Sequence, residues 1–249
     1  MRRISFFVAI SIFLCILIPT SKAANQKLQI GGGCLSLALI NDDADLIAGK
    51  YNLLVFYDPV TGIQNKILNH VSTAVRSIAV SQDKTTIAYL DYTWIITIIK
   101  TDGSFVDIVD LSKISQTGVN TTIKFSPDGS GLIFSGSTGI LEIKLATKQI
   151  RTIFNNAISQ VFDVSYASSK IAASYWDSVF VIDYATNSIT SRLKTDTTVS
   201  NIAFNNKGDI LAIADVNGKI SLMNPDSWVK KSEIKVGYGN NFPFPGIAF

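Results

Sequence analysis

The chain has 249 residues, of which 47% are hydrophobic and 16% are charged, so it is long enough and apolar enough to bury a core. It contains one His and two Cys, with 22 Lys and Arg against 19 Asp and Glu. A site built from several histidines is therefore excluded, and a structural zinc site is implausible.

Residues 1–23 have the order of a secretory signal peptide. Arg2 and Arg3 precede an uncharged apolar stretch over 4–18, and small residues occupy the positions that precede cleavage before Ala24. The apolar stretch is shorter than the roughly 20 residues that span a bilayer. We therefore predict a secreted or periplasmic protein with no stable membrane insertion after cleavage, and an uncleaved membrane anchor is the alternative.

Removal of this segment changes the charge balance. Three of the 22 basic residues and none of the acidic residues lie in it, which leaves 19 basic against 19 acidic residues. Lys230-Lys231 is the only adjacent basic pair that remains. Because nucleic-acid binding depends on neutralising phosphates with Lys and Arg, this balance disfavours a nucleic-acid partner.

A short apolar triplet recurs along the chain. The six triplets are Leu37-Ala38-Leu39, Ile78-Ala79-Val80, Ile123-Lys124-Phe125, Val164-Ser165-Tyr166, Ile202-Ala203-Phe204 and Ile247-Ala248-Phe249. Successive triplets end 41, 45, 41, 38 and 45 residues apart. A period of about 40–45 residues built from short strands is typical of a β-propeller, in which each repeat forms one four-stranded blade.

Each repeat divides into four predicted strands. The triplet opens the first strand, a polar hairpin follows, and a more polar fourth strand closes the repeat, as at 63–68. The second strands are predicted at 46–49, 86–90, 131–135, 171–174 and 210–214. The third strands are predicted to end near Tyr57, Ile99, Ile143, Ile182 and Met223.

Several of these motifs resemble the WD-repeat β-propellers. Ser126-Pro127-Asp128-Gly129 matches the hairpin signature of that family, and Tyr57-Asp58 followed by Thr61-Gly62 is similar to its Trp-Asp ending. Ile182-Asp183 keeps the acid, whereas Lys100, Lys144 and Asn224 replace it. The chain thus resembles a divergent, secreted or periplasmic member of the family, and it is also similar to bacterial periplasmic propellers. The resemblance implies a non-catalytic interaction scaffold that binds a protein partner.

The predicted organisation is an all-β propeller of four-stranded antiparallel blades after an N-terminal strand or linker at 24–33. The repeats occupy about 34–74, 75–118, 119–160, 161–198 and 199–240, with a partial sixth at 241–249. Three alternatives follow: the ring closes as a five-bladed form, a partner chain completes it, or the sequence is a truncated propeller. In an unclosed ring, residues 28–30 are a candidate outer strand of the final blade.

Aromatic residues cluster in the predicted turns between second and third strands. In a propeller these turns share one face with the connections between blades, and exposed aromatic residues act as anchors in protein interfaces. The predicted protein-binding residues are Tyr51, Tyr92, Trp94, Tyr175 and Trp176. The alternative for each is packing between adjacent blades.

The sequence predicts no catalytic, cofactor-binding or metal-binding residues. The acidic run Asp42, Asp43 and Asp45 lacks the glycine and the terminal glutamate of a calcium loop, so we assign it to an ordinary hairpin. Asn120 begins an acceptor sequence for N-glycosylation, which a eukaryotic secretory pathway would use. The alternative functions are a propeller enzyme or small-ligand binder in the central channel and a partner-completed or truncated fragment.

Overall fold

The computed structural model describes residues 15–17, 36–40, 45–68, 71, 73–113, 122–136, 138–155, 161–235 and 246–248. Over these residues the chain forms 22 β-strands and a single 3₁₀ turn, with no α-helix. Twenty strands make five antiparallel sheets of four consecutive strands each. The predicted all-β propeller with five complete four-stranded repeats is therefore confirmed.

The strand bounds follow the repeat. Blade one contains β2 (Ser36–Ile40), β3 (Asp45–Lys50), β4 (Leu53–Tyr57) and β5 (Gln64–Leu68). Blade two contains β6 (Val75–Val80), β7 (Thr86–Asp91), β8 (Ile95–Lys100) and β9 (Phe105–Asp110), and η1 (Leu111–Lys113) follows it. Blade three contains β10 (Ile123–Phe125), β11 (Gly131–Gly136), β12 (Gly139–Lys144) and β13 (Ile150–Phe154). Blade four contains β14 (Phe162–Ser165), β15 (Lys170–Tyr175), β16 (Ser178–Asp183) and β17 (Ser188–Lys194). Blade five contains β18 (Val199–Phe204), β19 (Leu211–Asp215), β20 (Lys219–Met223) and β21 (Lys230–Lys235).

Burial explains why the second and third strands were predictable. The second strand of each blade is buried on both faces, and in blade three β11 packs between blades two and four as a continuous apolar run. The outer strands face solvent, and all six residues of β21 are exposed. The predicted positions of the second strands and the ends of the third strands are confirmed.

The innermost strands lie side by side in the order β2, β6, β10, β14 and β18. Four hydrophobic clusters fill the spaces between consecutive blades, each drawing on residues from two neighbouring sheets. Hydrogen bonds add to this packing: Ser36 Oγ accepts the Ile78 N–H at 2.9 Å, and Ser77 Oγ accepts the Ile123 N–H at 3.1 Å. Each blade is thus joined to the next near the ring axis.

The predicted first strand of blade four is wrong by two residues. Ser165 pairs with Lys170, in the same position at which the Ser126 N–H donates to the Gly131 carbonyl in blade three. The triplet that lies in β14 is therefore Phe162-Asp163-Val164, and Tyr166 is the first residue of the following turn. The sequence misled because Val164-Ser165-Tyr166 has the same apolar, small, aromatic pattern as Ile202-Ala203-Phe204.

Two further clusters lie on the faces of blades one and five that are turned away from the other blades. Among the described residues, one cluster draws only on blade one, with Leu46, Ala48, Val55 and Tyr57 at its centre. The other draws only on blade five and includes Ala203, Ala212, Ala214 and Ile220. These two faces flank the seam of the ring.

A sixth innermost strand, β22 (Gly246–Ala248), lies beside β18. It pairs in parallel with β1 (Cys15–Leu17), a segment inside the predicted signal peptide. The candidate strand at 28–30, the acidic residues Asp42 and Asp43, and Asn120 lie outside the described residues.

Candidate functional site

The turns between second and third strands meet the connections between blades at one end of the sheets, which we call the turn face. The Leu111 N–H donates to the Trp94 carbonyl at 2.9 Å, and the Val199 N–H donates to the Trp176 carbonyl at 2.8 Å. In blade five the Val216 N–H donates to the Thr198 carbonyl at 3.0 Å. These hydrogen bonds join the turns to the strand connections beside them.

Two of these turns have the same construction. In blade two, Asp91 Oδ1 accepts the N–H groups of Thr93 and Ile95 at 2.8 and 3.2 Å. In blade five, Asp215 Oδ1 accepts the equivalent N–H groups of Asn217 and Lys219, both at 2.9 Å. The short side chain of aspartate bonds to its own turn in this way and fixes the turn conformation.

The position immediately before Ile95 in blade two, and immediately before Lys219 in blade five, has a left-handed backbone. Gly218 occupies it in blade five with a φ of 79°, and Trp94 occupies it in blade two with a φ of 67°. Trp176 has a φ of 52° in the turn of blade four. Bulky residues rarely adopt this conformation, and where they do the strain is often associated with a functional site.

The five predicted binding residues fall into two groups. Tyr51, Tyr92 and Trp176 are exposed by 67%, 52% and 55%, so their rings extend into solvent at the turn face. Trp94 is partly buried against the core between blades two and three, and Tyr175 is partly buried against the core between blades three and four. The proposed binding role of these residues stays a prediction.

Sequence reasoning missed Arg76, which joins two of them. Its guanidinium lies 4.8 Å from the ring centroid of Tyr92 and 4.4 Å from that of Trp94. Arg76 is the extra residue of a β-bulge, because Val75 pairs with Asp91 and Ser77 with Leu90. Bulges often redirect a side chain, and no signal in the sequence marked this one.

Val216 was also missed, although the alignment of the repeats points to it. It follows Asp215 in the turn of blade five, where Tyr92 follows Asp91 in blade two, and it is 37% exposed. Exposed apolar side chains therefore mark the turns of blades one, two, four and five. The signal was weak because a single valine in a turn has no aromatic character.

Ion pairs cover the turn face near blades four and five. Lys219 Nζ lies 3.2 Å from Asp196 Oδ2 and 3.8 Å from Asp215 Oδ2, and its hydrogen bond to Asp196 raises the pKa of the ammonium group. Lys194 Nζ lies 3.6 Å from Asp177 Oδ2 beside Trp176. This part of the face therefore offers an apolar ring with a polar rim.

A second polar cluster lies near the opposite end of blade three, at its junction with blade four. The buried Glu142 binds Arg151 Nε, Lys144 Nζ at 3.1 Å and the Tyr184 hydroxyl at 2.7 Å. Burial alone would lower the pKa of Lys144, but hydrogen bonds to Tyr184, Glu142 and Asp128 outweigh it and raise that pKa. Every partner in the cluster is charged or hydrogen-bonded. Tyr184 belongs to blade four, so its hydrogen bond to Glu142 joins the two blades.

The innermost strands contain one more ion pair. Asp163 Oδ1 lies 2.8 Å from Lys124 Nζ, and its Oδ2 accepts the Phe204 N–H at 2.8 Å. Tyr166 donates to the Val80 carbonyl of blade two at 3.4 Å, and burial raises the pKa of its hydroxyl to about 12. These groups connect blades two to five around the axis.

Two classes of site have no candidate in the part of the chain that the structure describes. No group of three or more His, Cys, Asp and Glu residues there could hold a metal ion. No helix within the same ranges has the length and apolar character needed to cross a membrane.

Comparison with known proteins identifies the fold. No family model matches the chain, and no curated protein matches it in sequence. Among solved structures, it is similar to the β-propeller domain of Cps50 (Swd1) from Myceliophteria thermophila, with a TM-score of 0.65 and 11% sequence identity. That alignment covers 82% of this chain and 73% of the other. At this identity the similarity extends to architecture, and the chain is a β-propeller.

Proposed function

We propose that this chain is a non-catalytic interaction scaffold that acts outside the cytoplasm and binds a protein partner through its turn face. The observation that carries the proposal is the stacking of Arg76 against both Tyr92 and Trp94. Tryptophan, tyrosine and arginine are the residue types most enriched at interface hot spots. Here Arg76 of β6 contacts both Tyr92 and Trp94 of the adjoining turn, and these contacts position the side chains before a partner binds, which reduces the conformational entropy lost on binding.

Exposure of the neighbouring turns supports the same face. Tyr51 and Trp176 present large apolar areas on other blades, and Val216 extends the set to blade five. Such side chains bind a partner with few rotatable bonds to fix. The ion pairs of Lys194 and Lys219 supply a polar rim of the kind that surrounds interface cores.

The binding proposal is tested by probing an array of extracellular proteins with the exported chain. The affinity for a captured partner is then compared between the wild-type chain and single-substitution variants. Arg76→Ala and Trp176→Ala should each weaken the affinity for a captured partner by about 2 kcal/mol or more. Ile63→Ala is the matched control, since Ile63 is 64% exposed in a turn between third and fourth strands, at the opposite end of the sheet. If Ile63→Ala weakens binding as much as the others, the turn face is not the interface.

The export proposal has a separate test. We expect N-terminal sequencing of the secreted or periplasmic product to begin at Ala24, since the basic, apolar and small-residue segments precede that residue. Recovery of Met1 in a membrane fraction would instead establish the uncleaved anchor.

A further inference from the structure

The outer strand of blade two differs from other outer strands in the apolar side chains that it exposes. Phe105, Val106 and Ile108 of β9 are 65%, 47% and 50% exposed. Strand pairing places them in register with Gln64, Asn65 and Ile67 of β5, with Ile189, Thr190 and Arg192 of β17, and with Lys230, Lys231 and Glu233 of β21. At least two of the three positions are polar in each of those strands, and all three are apolar in β9.

A β-bulge brings the three apolar side chains to one flank of the strand. Ile98 pairs with Asp107 and Ile99 with Phe105, so Val106 is an extra residue. The extra residue interrupts the alternation of side chains. Residues 105, 106 and 108 are consequently exposed, whereas Val109 is buried in the core between blades two and three.

The free edge of β9 also lacks the usual protection. Strand β9 is last in its sheet, with no strand beyond it among the described residues. Edge strands are normally guarded by charged side chains, above all lysine. Each of the other four outer strands contains a lysine or arginine, at Lys66, Arg151, Arg192 and Lys230, and β9 contains none.

Two aspartates of β9 define the charge of this surface. Asp107 accepts the Ile108 N–H at 2.8 Å and pairs with Lys148 of blade three, which fixes the strand against its neighbour. Asp110 lies 3.0 Å from Lys113. These two carboxylates are the only charged side chains of β9, so the strand itself carries negative charge.

We propose that the edge and apolar flank of β9 bind an extended strand of a partner protein by strand addition. The strand that fits has apolar side chains at alternate positions, against Val106 and Ile108, and lysine or arginine opposite Asp107, which lies between them. A second copy of this chain fits less well, because antiparallel self-pairing that sets Val106 opposite Ile108 also sets Asp107 opposite Asp107 of the other copy. This site lies on the outer rim and is independent of the turn face.

The probe is a fluorescent octapeptide with blocked termini, in which valine and lysine alternate. The peptide is titrated into a solution of the mature chain. We expect saturable binding with slowed amide hydrogen exchange confined to residues 105–110. The double substitution Val106→Asn and Ile108→Asn should weaken binding at least tenfold, and the matched control Ile189→Asn in β17 should leave it unchanged. Circular dichroism establishes that each variant is folded.

Four outcomes would overturn the proposal. The first is the absence of saturable binding, and the second is an equal loss of binding in Ile189→Asn. The third is equal binding of a peptide in which proline replaces valine, since proline has no N–H to donate to a strand edge. The fourth is self-association of the chain that the double substitution abolishes, which would make a second copy the occupant.

Discussion

Backbone strain at single residues distinguishes the tryptophans of this protein. The chain has three, and Trp94, Trp176 and Trp228 have φ values of 67°, 52° and 57°. A left-handed conformation costs a residue with a side chain about 1–2 kcal/mol. Trp228 offsets that cost by packing on the core between blades four and five, whereas Trp176 is 55% exposed and gains little from packing.

The substitution Trp176→Gly should therefore show whether the ring of Trp176 contributes to the stability of the fold. Because glycine adopts positive φ without strain, we expect the free energy of unfolding to be unchanged or to rise by up to about 1 kcal/mol. Trp228→Gly is the control and should lower it by about 2 kcal/mol, because packing in the core is lost. Urea unfolding followed by far-ultraviolet circular dichroism measures both. A large loss of stability in Trp176→Gly would show that its ring is structural.

The polar cluster of blade three gives a prediction on pH. Burial alone would raise the pKa of Asp128, but hydrogen bonds from Ser126, Ser130 and Lys144 outweigh it and hold that pKa well below its usual value. A carboxyl whose pKa is lowered by folding stabilises the native state above its unfolded pKa of about 4. That contribution is lost as the pH falls further.

We expect the urea midpoint of the wild-type chain to decline below about pH 4 through this contribution. In Asp128→Asn the midpoint should be lower at pH 7 and should fall less steeply between about pH 4 and pH 2. Asp183→Asn is a useful comparison, since the hydrogen bonds that lower the pKa of that half-buried carboxyl come from Thr186, which is not a member of the cluster. Parallel pH profiles for wild type and Asp128→Asn would contradict the assignment.

At the scale of strands and turns, the repeat period predicted most of the fold because it reflects packing that every blade shares. The buried second strands are apolar on both faces, so their positions were evident from the sequence alone. The register of β14 was not evident from the sequence, since it depends on the pairing of Ser165 with Lys170. A pairing between strands leaves no trace in the local pattern when two overlapping triplets look alike.

The candidate site was predictable only in part, for a related reason. Aromatic residues in turns identified Tyr51, Tyr92 and Trp176 as exposed residues of one face. Arg76 escaped notice because a charged residue in an inner strand has no distinguishing pattern until the bulge redirects it. The partial burial of Trp94 and Tyr175 likewise depends on the neighbouring blades rather than on their own turns.

Phe204 lies in an innermost strand, and its contribution to the stability of the fold can be tested. This residue ends β18, is buried, and belongs to the core between blades four and five. Phe204→Ala should lower the free energy of unfolding by about 3–5 kcal/mol, because a large cavity would form. Phe105→Ala is the matched control at a 65% exposed position and should change it by less than about 0.5 kcal/mol. Equal effects would mean that the register of the repeat is wrong.

For the molecule as a whole, the seam of the ring is the unusual feature. Four of the spaces between sheets are filled by clusters that two blades share. The clusters on the outward faces of blades one and five draw on one blade each among the described residues. Their central residues are nonetheless buried. Strand β22 lies on the blade five side, next to β18.

Two truncations distinguish what β1 and β22 contribute. A chain that begins at Ala24 lacks β1 but keeps every strand of the five blades, and a three-residue parallel pair adds little stability by itself. We expect its thermal midpoint to match that of the full-length chain. A chain that ends at Lys235 lacks β22, which lies beside β18 of blade five, so we expect it to lose about 2 kcal/mol and to bind a hydrophobic dye. If the second truncation leaves both the midpoint and dye binding unchanged, β22 does not cover the seam, and the five blades are stable without it.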